Sequence, residues 1–128
     1  MKNTLRLTRS ALLRIALPLA CLATWAQPIE AGLQAITELA HVNGLAMACQ
    51  EMGIAAQAKA LMLRHAPKTA RFGSAFDEGT HLSFLAQTRS SATCPDEPTL
   101  RLQLLALALT LQANLPAGPS NQTATKAP

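Results

Sequence analysis

Seven of the twelve residues from Leu100 to Leu111 are leucine. At 100° per residue, Leu100, Leu104, Leu107 and Leu111 fall within about 60° of one another on a helical wheel. Leu102, Leu105 and Leu109 form a second stripe on the opposite side, and Arg101, Gln103 and Thr110 supply the polar strips between the two. The run alternates in places as a strand would. Its Leu, Ala, Gln and Arg content and an early proline, Pro98, favour a helix from about 98 to 115. A helix apolar on two sides is either enclosed by its own domain or leaves one face for a partner. This segment therefore decides how the remaining helices must be arranged.

Those helices are short of β-branched and aromatic residues, which points to an all-α domain. A first helix is expected from about Ile29 to Gln50. Ile29, Leu33, Ile36, Ala40 and Met47 share one stripe, widened by Leu39, Val42, Ala46 and Cys49. Glu30, Gln34, Glu38 and His41 lie opposite, as on a surface helix with one dry face. Asn43-Gly44 is a place where it can split, and Gly53 is expected as its left-handed cap. A second helix covers about 54–66, with Ile54, Ala58, Leu61, Met62 and His65 inward and Pro67 as its stop. The third covers roughly 74–88. Ser74 and Asp77 resemble a capping box there, and Thr69 is an alternative start that brings Phe72 into the helix.

The 128 residues carry a net charge of +4, which hints at nucleic acid until it is located. Lys2, Arg6, Arg9 and Arg14 stand within the first 26 residues, which hold no acid; the other seven bases face seven acids. No nucleic-acid partner is expected from so balanced a chain. Residues 1–26 read instead as a signal peptide. A basic stretch precedes an apolar run from Ile15 to Ala26, and Thr24 and Ala26 suit cleavage before Gln27. A spanning helix needs roughly 20 apolar residues, so no permanent membrane span is expected. Lipidation at Cys21 is disfavoured because Pro18 stands where lipoprotein signals usually carry Leu. The expected compartment is the periplasm of a Gram-negative bacterium.

After cleavage two cysteines remain, Cys49 and Cys94, and in an exported protein they are expected to form one disulfide. From Pro116 to Pro128 nothing can bury a core, so a disordered tail is expected. The expected organisation is a signal peptide over 1–26, a helical domain over 27–115 and the tail over 116–128. In length and cysteine separation this layout resembles the small disulfide-linked helical periplasmic chaperones of acid stress. That resemblance implies a chaperone-like role and carries over no residue.

Chemistry is harder to find. Asp77, Glu78 and His81 share one helix face, and Glu78-Gly79-Thr80-His81 matches half of a di-iron Glu-x-x-His pattern. The second half is missing, and a solvated acidic first turn explains the cluster better. His41, Met47, Cys49, Met52, Met62 and His65 suggest a soft copper site. Met47 lies on the dry stripe, His41 on the wet one, and Cys49 is better used in the disulfide. His65 stands beside Arg64, Lys68 and Arg71, as part of an anion patch or as a cap on the last carbonyls of its own helix. No catalytic residue, metal site or cofactor is expected. The expected function is an exported, non-enzymatic accessory or binding protein. Leu102, Leu105 and Leu109 would meet a protein partner or a second copy. The alternative is a periplasmic copper-handling protein.

Overall fold

A computed structural model of the chain describes residues 27–117. They form four α-helices and no strand: α1 Gln27–Ala48, α2 Met52–His65, α3 Ala70–Arg89 and α4 Glu97–Asn114. The expected all-α, four-helix, single-disulfide domain is the architecture observed. The expected leader and the tail beyond Ala117 lie outside the described residues.

The centre of the fold is α1, which packs against all three other helices, while α4 lies against α1 and α2. Its dry face is broader than the expected stripe, while Glu30, Gln34, Glu38 and His41 lie exposed opposite it as expected. Gly32, Ala35, Ile36, Leu39, Ala40, Val42, Asn43, Gly44 and Ala46 are all buried, an arc of about 200°. Gln34, Thr37, Glu38 and His41 form the strip left open. Ile29, placed on the dry stripe by periodicity, is exposed.

Small residues let α1 and α3 approach closely. A Cβ added at Gly44 would overlap the Thr80 carbonyl and lie 2.9 Å from Phe84 N and Ser83 Cβ. One added at Gly79 would sit 2.8 Å from Ala40 Cβ. Hydrogen bonds cross the seam there. Ser83 Oγ donates to the His41 carbonyl at 2.8 Å, and Asn43 Nδ2 donates to Thr80 Oγ1 at 3.0 Å. Asn43-Gly44 does not split α1, because both residues belong to this contact.

The end of α1 corrects another expectation. Gln50, not Gly53, adopts the left-handed conformation, with φ 63°. The Glu51 N–H reaches the Ala46 carbonyl at 2.8 Å and the Gln50 N–H the Met47 carbonyl at 3.3 Å, the double bond of a Schellman motif. Gly53 lies in the first turn of α2. Ala66, before Pro67, is extended and ends α2 as the proline requires. The third helix starts at Ala70 after Thr69, not at Ser74, because Phe72 and Phe76 both turn into the core.

Asp96 caps α4, its Oδ1 accepting the Thr99 N–H at 3.1 Å, and Pro98 stands in the first turn. Cys49 and Cys94 are joined, with Cα atoms 5.7 Å apart. The bridge holds the end of α1 beside the loop that precedes α4. Gly32, near the start of α1, meets Leu115 just past the end of α4. The two helices therefore run antiparallel.

Candidate interaction surface

Both leucine stripes of α4 are resolved by the packing. Leu100, Leu104, Leu107 and Leu111 are buried. Leu102, Leu105 and Leu109 are 68%, 58% and 75% exposed on the opposite side. Burying a leucine is worth about 1.5–3 kcal/mol, so three left in water are a standing cost and a sticky ridge. Since α4 rests on α1 and α2, no helix among the described residues covers the ridge. From Leu102 to Asn114 the helix bears no charge.

A groove flanks the ridge on each side. Between α2 and α4 lies one of about 290 Å³, with Leu61, Leu104 and Leu105 among its walls and Arg64 and Arg101 at its rim. Between α1 and α4 lies one of about 440 Å³, which carries Glu38 and His41 beside Gln103, Ala106 and Thr110. Arg101 pairs with Glu97 one turn earlier, so its charge is answered within α4. Sequence reasoning missed both grooves, because which helices border α4 is a tertiary fact with no local signal.

Of the other candidate groups, Asp77 and His81 share one groove of about 310 Å³ with Met47. Asp77, Glu78 and His81 are exposed on α3. Because that helix begins at Ala70, the first two stand too far along it to feel its N-terminal dipole strongly. Among the possible copper ligands, His41 and Met52 are exposed, Met47 and Met62 pack on the core, and Cys49 is bonded to Cys94. Among the described residues, no three His, Cys, Asp or Glu side chains cluster as a metal site.

His65 neither caps its own helix nor joins an anion patch. It is buried, and its Nδ1 lies 2.8 Å from the Leu115 carbonyl. The neighbouring cations have separate tasks. Lys68 Nζ donates to the Leu63 carbonyl, and Arg71 pairs with Glu30 at 2.7 Å. The surroundings of Asp96 shift its carboxyl. The Thr99 side chain and main-chain N–H both favour its carboxylate and hold its pKa below the usual 3.8.

No helix among the described residues is long and apolar enough to cross a membrane. In comparisons with known proteins, no family model, curated protein or solved structure matches the chain.

Proposed function

We propose that this chain is an exported binding protein, without catalytic activity of its own, that offers the outer face of α4 to a protein partner in a chaperone-like or adaptor role. The carrying observation is the three-leucine ridge, more than half exposed on a helix whose other face completes the core. A rigid helix presenting apolar residues at positions 102, 105 and 109 has the spacing of a helix-docking seam. The Cys49–Cys94 bridge supports export, since such bonds persist in oxidising compartments.

Two measurements test this reading. Intact mass of the native exported chain reports export: cleavage before Gln27 removes Trp25, and a mass that includes it contradicts the leader. Immobilised native chain and a Leu102→Gln/Leu105→Gln/Leu109→Gln variant, challenged with the same exported proteins, report the surface. The native chain is expected to retain a partner that the folded variant does not. Equal retention by both contradicts the reading.

A further inference from the structure

We infer that a second copy of this chain covers the leucine ridge, in a parallel two-fold pair whose α4 helices lie side by side and whose Arg64 faces the partner's Glu38. The inference rests on the reading of the outer face of α4 as a docking surface, and names its occupant.

Three observations carry it. First, Leu102, Leu105 and Leu109 are spaced by three and then four residues, the repeat with which two identical helices pack along a seam. Second, the helix has no charge from Leu102 to Asn114, so nothing on it repels its own image. Third, the flanks differ in sign. Arg64 stands at the α2 side of the ridge and Glu38 at the α1 side. Both residues are exposed.

Their grooves run along overlapping stretches of α4, Arg101 to Ala108 on one side and Gln103 to Thr110 on the other. Arg64 shares its groove with Ala108, and Glu38 shares its groove with Thr110.

Symmetry then chooses the orientation. With the two-fold axis parallel to α4, the α2 side of each copy meets the α1 side of the other, and each Arg64 meets the partner's Glu38. With the axis perpendicular to α4, the helices run antiparallel and like flank meets like flank. Basic groove would then face basic groove, an arrangement that costs affinity. A two-fold interface repeats each contact, so one favourable pair is made twice.

Sedimentation equilibrium of the purified native chain tests the inference, with four versions compared: native, Arg64→Glu, Glu38→Arg and the double exchange. The native chain is expected to be a dimer. Each single reversal should weaken it about tenfold, through two lost pairs and two new repulsions. The double exchange should return to within about threefold of native. Arg64 and Glu38 are exposed, so the variants keep their fold. A dimer indifferent to the single reversals, or one the double exchange does not restore, overturns the parallel arrangement. A chain that stays monomeric overturns the second copy. In that event the leucine ridge stands or falls separately, on whether the triple glutamine variant loses its captured partner.

Discussion

The Nδ1 atom of His65 lies 2.8 Å from the main-chain oxygen of Leu115, a bond made in the dry interior between the ends of α2 and α4. Nδ1 donates, since a carbonyl can only accept. The Leu115 side chain in turn fills the space over Gly32, where an added Cβ would lie 2.5 Å from Leu115 Cγ. Three helices thus meet at one residue.

Removing the imidazole leaves that carbonyl without its partner. His65→Ala is expected to lower stability by about 2–3 kcal/mol, from the unmet acceptor and the lost packing. His65→Asn, which can place an amide nitrogen near the same carbonyl, should lose less. Urea unfolding of the three proteins measures both differences.

What could be read in advance follows from where the information lies. The split of the α4 leucines into a dry and a wet stripe is a property of helical geometry, so it is visible in the sequence and present in the fold. The start of α3 is different. Thr69 and Ser74 are both good caps, and the choice between them turns on whether Phe72 has a core to enter. The end of α1 was obscured by a similar ambiguity. Gly53 is the residue best suited to a left-handed turn, yet Gln50 takes it, because α2 starts at Met52 and Gly53 already lies within its first turn. The enclosure of α1 and the partner of His65 depend on how helices are set against each other, for which no local pattern exists.

The close approach of α1 and α3 gives a pair of opposite expectations. Gly44→Ala forces a methyl into the α3 backbone and should cost about 2–3 kcal/mol. Gly53→Ala meets nothing within 4 Å and sits in a helix without a positive φ. It should stabilise by about 0.5–1 kcal/mol through helix propensity alone. Thermal unfolding of both variants, compared with the native chain, reads the two signs.

The disulfide closes a long loop, its cysteines 45 positions apart. Reduction, or Cys49→Ser with Cys94→Ser, is expected to lower stability by about 2–4 kcal/mol. The helices should still form, because the bridge joins their ends and adds nothing to their faces. Circular dichroism with and without reductant checks this: helical signal retained, unfolding midpoint lowered.

Asp96 ties one part of the fold to pH. Its pKa is held below the ordinary value by Thr99, so its cap contributes stability that is full above about pH 4 and is lost as pH falls through the folded-state value. Acid should loosen the first turn of α4 before the core opens. Asp96→Asn keeps a capping oxygen and should remove this pH dependence. An NMR titration following the Thr99 amide in both proteins reports it.

A docking role for α4 requires its outer face to be surplus to the domain's own core. The most direct measurement is equilibrium unfolding of the Leu102→Gln/Leu105→Gln/Leu109→Gln variant, paired with its state of association under the same conditions. The variant is expected to be a folded monomer, with stability within about 1 kcal/mol of the native chain when both are compared as monomers, and with association lost. A variant unfolded as a monomer, or weakened by several kcal/mol, would place these leucines in the core and contradict that docking role.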